Sequence, residues 1–501
     1  MQILTLLKSF YNFKFSNLRK MIIRIFAIFS LIFTGFYSFS QQNVQTELQK
    51  ILQQLEYTNA TIGIQVVDLE NRIPLFELNP EKLMIPASTL KIVSSASALE
   101  ILGAGYRFKT IVGYSGEILK TNVLKGDLVI VGGGDPTLGS EYFRENKLNE
   151  YFVKVWVQKI KAAGIRKITG DIILDGSVYD SEKIPPTWIW GDIGNYYGTG
   201  ANAFTCYDNL FRLTFKSPKE VGVRTEIITT YPKIEDMIIV NEVVTSDDKR
   251  DLAYVFGSPL DKNQVIRGTI PKDKNAFTIK AAVHNPEELL AEALLDQLAI
   301  EGISISGEIK FETLDKNQLQ TIYIHESPKL DEIVKVLNYE SINLFAEHLV
   351  LQIAAEKNGT GNREKGIELI KDFWNSNEVI KNDFFMEDGS GLSHFNAISP
   401  SQINSILFFM AKNSKNSEAF FNSLPNAGNG TLSGFSTEFF PNNTIKAKSG
   451  SMTRVRCYAG YIQADSDKKC AFTIMFNHFS GSHSKLTKEI ENLLLTAKKS
   501  L

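Results

Sequence analysis

Apolar and polar residues are distributed along this chain in three textures. Near the start, VQTELQKILQQLEYT (44–58) repeats apolar residues at helical spacing, and TIGIQVVDLENRIPLFELNP (61–80) reads as two strands around Asn71. Then Ile85-Pro86-Ala87-Ser88-Thr89-Leu90-Lys91 leads into IVSSASALEILG. Proline at the first turn, an apolar run of helix length and Gly103 as a stop predict a helix whose first turn holds Ser88 and Lys91. From about 106 to 275 the texture changes to short β-rich runs, such as GDLVIVGGGDPTL (126–138), ITGDIILDG and RTEIITTY, which predict one or two mostly β subdomains. Helical patterns return at 285 in NPEELLAEALLDQLAIEG, LDEIVKVLNYESINLFAEHLVLQIAAEK and NREKGIELIKDFWNS. The last part, TIKAKSGSM, VRCYAGYIQA, CAFTIMFNHF and SHSKLTKEIENLLLTAKKS, reads as strand, strand, strand, helix. No internal repeat, low-complexity tract or long linker separates these parts.

Composition adds little to that pattern and charge adds more. With 501 residues, 43% hydrophobic and 22% charged, the chain is globular in composition, which excludes disorder, collagen-like repeats and coiled coil. At roughly 150 residues per domain it should hold two to four domains. The net charge of −2 sums two unlike parts, because residues 1–40 carry Lys8, Lys14, Arg19, Lys20 and Arg24 and no acid. Without those five, 49 basic residues face 56 acidic ones, a balance of −7, which argues against a nucleic-acid binder.

The basic flank precedes IFAIFSLIFTGFYSFS, which ends in Ser38-Phe39-Ser40 before Gln41-Gln42. Small residues at both ends of that tripeptide fit a signal-peptidase cut after Ser40, so residues 1–40 are expected to be a signal peptide, with Met21 as an alternative start, and the body to be exported to the periplasm. A membrane span needs about 20 apolar residues, and this run is shorter and broken by Gly35 and serines. Cys206, Cys457 and Cys470 show neither metal-ligand nor CxxC spacing and are expected as free thiols.

Three short motifs carry candidate chemistry: Ser88-x-x-Lys91, Ser341-Ile342-Asn343 and Lys448-Ser449-Gly450. Each alone arises readily by chance; their order and local context make the conjunction specific. Residues three apart share a helix face, so the Lys91 amine can reach the Ser88 hydroxyl. A partly desolvated lysine beside another cation can take the serine proton and so activate it as a nucleophile. Ser341 can relay a proton to a leaving group and Asn343 can hold Lys91 and a substrate carbonyl, although Ser341 also reads as the N-cap of the apolar helix that follows. Lys448 and Ser449 offer a cation and a hydroxyl to a carboxylate on a predicted edge strand. Gly450 leaves room for substrate against the backbone, and the Ser451 N–H can join that of Ser88 as an oxyanion hole.

With these motifs in order, the chain resembles the active-site serine penicillin-recognising enzymes. Within them it is similar to the class C low-molecular-mass penicillin-binding proteins, the D-alanyl-D-alanine carboxypeptidase/endopeptidases of the penicillin-binding protein 4 type. The resemblance extends through GDLVIVGGGDPTL, WIWGDIGNYYGTGANAF (188–204), DGSGLS (388–393) and LPNAGNGTL (424–432), and through the 250 positions between Lys91 and Ser341. It implies an α+β fold: a discontinuous serine β-lactamase/D,D-peptidase-like domain (41–105 and 276–501) with an antiparallel sheet and helices, carrying nested β-rich subdomains over 106–275.

The resemblance also implies acylation of Ser88 by peptides ending in D-Ala-D-Ala, release of D-Ala, hydrolysis of the acyl-enzyme, cleavage of D-Ala-to-diamino-acid crosslinks, and acylation by penicillins. Expected partners are therefore peptidoglycan peptides and β-lactams, with no cofactor and no nucleic acid. Asp192 matches a position that can face the amino end of the substrate's diamino acid, and it reads equally as a turn aspartate. Two departures stand out. Lys-Thr-Gly is here Lys-Ser-Gly, which keeps the hydroxyl, and His394 follows DGSGLS where the family often has arginine, which would weaken a hold on carboxylate at neutral pH.

Other signals do not cohere. Gly198-Thr199-Gly200-Ala201-Asn202-Ala203 fits a dinucleotide fingerprint but follows no apolar strand, and the six histidines have no zinc spacing. A serine β-lactamase and a catalytically silent wall-binding scaffold are the two alternative readings of the same motifs. The long insertion points away from the first, and the intact Ser88/Lys91 pair away from the second.

Overall fold

A computed structural model describes residues 42–234 and 236–501; the expected signal peptide lies outside the described residues. The central element is a five-stranded antiparallel sheet in the order Ile445–Met452, Val455–Gln463, Lys469–Asn477, Thr61–Asp68, Pro74–Leu78. Both of its faces are covered, and the three inner strands are buried over nearly their whole length. On one face, Ile62, Ile64, Tyr458, Phe472 and Phe476 pack with Val44, Leu48 and Ile51 of the helix over residues 42–52 and with Leu486, Ile490 and Leu494 of the helix His483–Ser500. On the other, Cys457, Ala459, Tyr461, Ala471 and Met475 pack with the helices Lys91–Ile101, Leu330–Glu340, Asn343–Asn358 and Pro400–Lys412. The two strands before residue 80 and the closing strand, strand, strand, helix are thus present as the sequence predicts. Ile445–Met452, which carries Lys448, is an edge strand.

A second hydrophobic core lies wholly in the inserted part, from Val112 to Ile303. Its main sheet runs Ile309–Phe311, Ile172–Asp175, Leu128–Val131, Lys109–Tyr114, Gln320–Glu326. A small four-stranded sheet lies beside it, and the segment from Leu210 to Ala282 adds a three-stranded and a four-stranded sheet. The insert is not purely β: the helices Phe152–Ala162 and Pro286–Ile300 bury Trp156, Ile160, Leu290 and Leu294 in this same core.

The expected division at 275/276 is therefore displaced. It cuts the strand Lys274–Ala282, and the following residues up to Glu326 pair with the insert: Ile309–Phe311 with Ile172–Asp175, and Gln320–Glu326 with Lys109–Tyr114. The chain leaves and re-enters the catalytic unit at one place, where Ser327 N–H donates to Phe108 O (3.0 Å) and Phe108 N–H to Ser327 Oγ (3.0 Å). Cys206, Cys457 and Cys470 are buried free thiols; in the sheet Cys457 faces Met475 and Cys470 faces Ile462.

Candidate active site

The first motif forms a single 3₁₀ turn, Ala87–Leu90, running straight into the helix Lys91–Ile101. Ala87 sits at φ 46°, a left-handed conformation that costs an L-residue on the order of 1 kcal/mol and that here directs the chain into Ser88. Lys91 is fully buried, and its Nζ meets three oxygens: Ser88 Oγ at 3.0 Å, Asn343 Oδ1 at 2.6 Å and the Ser390 carbonyl at 2.7 Å. Burial draws the amine down to about 7, against the opposing pull of the Asp388 and Glu347 carboxyls. An amine held this low has a neutral form accessible near pH 7, able to accept the Ser88 proton across that 3.0 Å contact.

Ser341 does not cap the following helix. It is the left-handed residue (φ 60°) that ends Leu330–Glu340, and Ile342 is the N-cap of Asn343–Asn358. This sharp junction sends Ser341 and Asn343 to different lysines. Lys448 Nζ donates to Ser341 Oγ at 2.9 Å and to its neighbour's carbonyl, Ser449 O, at 2.7 Å. Lys448 is fully buried, and burial, reinforced by Lys91 and Arg456, holds its amine well below the ordinary lysine range. Gly450 brings the edge strand against the turn that holds Ser88: a Cβ there would lie 2.6 Å from Pro86 O and 3.0 Å from Ser88 N.

The loop after Asp388 closes the back of the site. The wholly buried Asp388 carboxyl accepts from Gly391 N–H (2.8 Å), Ser393 N–H (2.6 Å), Asn396 Nδ2 (2.9 Å) and Trp188 Nε1 (2.8 Å). Gly391 is required here, since a Cβ would overlap Ala87 O at 1.9 Å. Trp188 belongs to the insert, as does Tyr197, whose carbonyl accepts from Asn343 Nδ2 at 2.8 Å. The strap over residues 188–199 is thereby anchored to the catalytic unit at two points.

Ser88, Ser341, Asn343, Ser451, Asp192 and His394 line one cleft of about 710 Å³ between the two units, while Lys91 and Lys448 stand buried behind its wall. Asp192 is not satisfied by its own turn: its Oδ1 accepts from Tyr197 O–H at 3.1 Å. Burial raises this carboxyl, the Tyr197 hydrogen bond lowers it, and His394 across the cleft lowers it further. Of the residues singled out in the sequence, six line this cleft and two lysines stand behind it, while Gly450 lies against the Ser88 turn and Ser449 meets Lys448 through its backbone carbonyl. Sequence reasoning passed over Glu347, Asp388, Trp188 and Tyr197. Glu347, one helical turn beyond Asn343, was open to detection by its spacing, and Asp388 by its place at the head of DGSGLS.

The family model for the D-Ala-D-Ala carboxypeptidase 3 (S13) family matches residues 44–498. A D-alanyl-D-alanine carboxypeptidase of Actinomadura sp. (strain R39) is 25% identical over 462 residues, 87% of this chain and 81% of that protein. The D-alanyl-D-alanine carboxypeptidase DacB of Haemophilus influenzae is 26% identical over 452 residues, 88% of this chain and 90% of that protein. The crystal structure of penicillin binding protein 4 from Haemophilus influenzae superposes with a TM-score of 0.77 at 23% identity, covering 90% of this chain and 98% of that one. A second structure of that protein, complexed with a β-lactam, gives a TM-score of 0.71.

Proposed function

The chain belongs to the S13 family of serine D-Ala-D-Ala carboxypeptidases, and from that premise we propose that its cleft cleaves both the terminal D-Ala-D-Ala of peptidoglycan stem peptides and D-Ala-to-diamino-acid crosslinks. Lys91 takes the Ser88 proton as Ser88 Oγ attacks the carbonyl of the penultimate D-Ala. The oxyanion lies against the Ser88 N–H and the backbone of the strand that carries Gly450 and Ser451. Lys448 and Ser449 attract the carboxylate of the leaving residue, and the proton taken up by Lys91 is relayed through the Ser341 hydroxyl, hydrogen-bonded to Lys448, to the leaving amine. The C–N bond breaks, leaving an acyl-Ser88 that water hydrolyses. β-Lactams enter the same path as acylating mimics, in keeping with the β-lactam complex of the Haemophilus influenzae protein.

The observation that carries this reading is the pair of buried lysines, one on Ser88 Oγ at 3.0 Å and one on Ser341 Oγ at 2.9 Å. Crosslink cleavage is supported by the size of the cleft and by the Asp192 carboxyl in its lining, a chemical match for a free side-chain amine. The basic and apolar character of residues 1–40 supports action in the periplasm. Digestion of purified crosslinked muropeptides, with fragments identified by mass, tests it: the reading expects loss of D-Ala from pentapeptides and conversion of dimers to monomers. Dimers left intact while pentapeptides are trimmed would restrict the enzyme to carboxypeptidase action.

A further inference from the structure

The helix Asn343–Asn358 is buried over its first thirteen residues, so each polar side chain on it must find a partner inside the protein. Asn343 reaches Lys91 directly. One turn later the fully buried Glu347 carboxyl accepts from Gly389 N–H (3.0 Å), from Ser390 N–H (2.9 Å) and from Arg363 Nη1 (2.6 Å). Ser390 is thus held by Glu347 through its N–H, and through its carbonyl it accepts from Lys91 at 2.7 Å. A buried ion pair is weak evidence for stability, because an apolar replacement is often as good. What distinguishes this one is its position, a single residue away from the base.

We propose that Glu347 is a positioning residue for Lys91: it fixes the Ser390 carbonyl that Lys91 donates to, and in its ionised form it favours the protonated state of Lys91. This rests on the peptidase reading above. Lys91 is faced by Lys448 from the edge strand, Asp388 from the loop and Glu347 from the helix. Glu347 is faced by Asp388 and by Arg363, whose Nε binds Glu182 of the insert at 2.9 Å. Burial and Asp388 raise the Glu347 carboxyl to about 7, while Arg363, Ser390 and the Gly389 N–H oppose that rise. Where this carboxylate is ionised, Lys91 holds its proton to higher pH; removing the charge lets the proton go at lower pH.

The test is the second-order rate of Ser88 acylation by a fluorescent penicillin from pH 5 to 9, which reports groups of the free enzyme. Glu347→Gln should shift the rising limb to lower pH by about 0.5–1.5 units, the shift appearing from about pH 7 upward, where the Glu347 carboxyl is ionised. Glu347→Asp keeps the charge but shortens the reach to Ser390; its limb should stay near that of the unaltered protein while its plateau rate falls about tenfold. An unmoved limb in folded Glu347→Gln, or an undiminished plateau in Glu347→Asp, would overturn the proposal. If Glu347→Gln does not fold, the Glu347→Asp plateau still decides. Failure of the unaltered protein to acylate at Ser88 is a different outcome, which refutes the peptidase reading instead.

Discussion

Replacing Gly450 by alanine is a perturbation of one methyl group whose consequence can be worked out from distances. The added Cβ would stand 2.6 Å from Pro86 O and 3.0 Å from both Ser88 N and Thr89 N. These are backbone atoms that cannot rotate aside, and relief to a normal contact needs a displacement of about 0.5–1 Å. Either the edge strand swings away, taking Lys448 and Ser451 with it, or the 86–89 turn moves, taking Ser88 off Lys91. Overpacking of this kind costs about 1–3 kcal/mol, and a misplacement of about 1 Å at reacting atoms costs about 100-fold in rate. The assay is penicillin acylation beside a thermal melt. Gly434→Ala is the control, because the nearest atom to its Cβ would be Thr487 Cγ2 at 3.9 Å, and it should behave as the unaltered protein. We expect Gly450→Ala to acylate about 100-fold more slowly while remaining folded. An acylation rate within threefold of the unaltered protein would refute the claim that strand and nucleophile turn are in forced contact.

Other outcomes follow from the same geometry. With Lys91 lowered to about 7, acylation should rise with pH through that value, tenfold per unit on the acidic side, and a rate flat from pH 5 to 8 would exclude Lys91 as the base. Stability has the same sign: the unfolded chain binds Lys91's proton more tightly than the fold between about 7 and 10.5, so this residue's contribution favours the folded state increasingly as pH rises through that window, read from melts at stepped pH. Trp188→Phe removes one of four donors to the buried Asp388 carboxyl and should cost about 1–3 kcal/mol, lowering the melting temperature. Asp192→Asn should raise KM about tenfold for a stem peptide with a free side-chain amine and leave an N-acetylated analogue unaffected, measured by D-Ala release.

The elements most legible in the sequence were those whose periodicity is set locally. Apolar runs bounded by turn residues in 445–477 identified three strands, and proline before Ser88 with Gly103 after the apolar run identified the helix that begins at Lys91. Periodicity states that a segment is amphipathic and does not say against what. Pro286–Ile300 was therefore read correctly as a helix and placed in the wrong unit, since its apolar face packs on the insert. The strands Ser304–Ile305 and Ile309–Phe311 are short, and Gln320–Glu326 is largely exposed, so none carries enough apolar pattern to register. Ser341 looked like an N-cap because serine before an apolar helix usually is one; a left-handed non-glycine junction has no sequence signature. Glu347 was passed over because glutamate in a helix ordinarily lies in water, and only the convergence of Arg363, Gly389 and Ser390 makes its burial tenable.

The central claim is that Ser88 is a nucleophile activated by Lys91. Its most direct test is the intact mass of the purified protein after brief exposure to benzylpenicillin, followed by peptide mapping. The account predicts one adduct per chain, located on Ser88, absent from Ser88→Ala and strongly slowed in Lys91→Arg, whose guanidinium cannot act as a base at neutral pH. An adduct on another residue, or one that persists undiminished in Ser88→Ala, would contradict it.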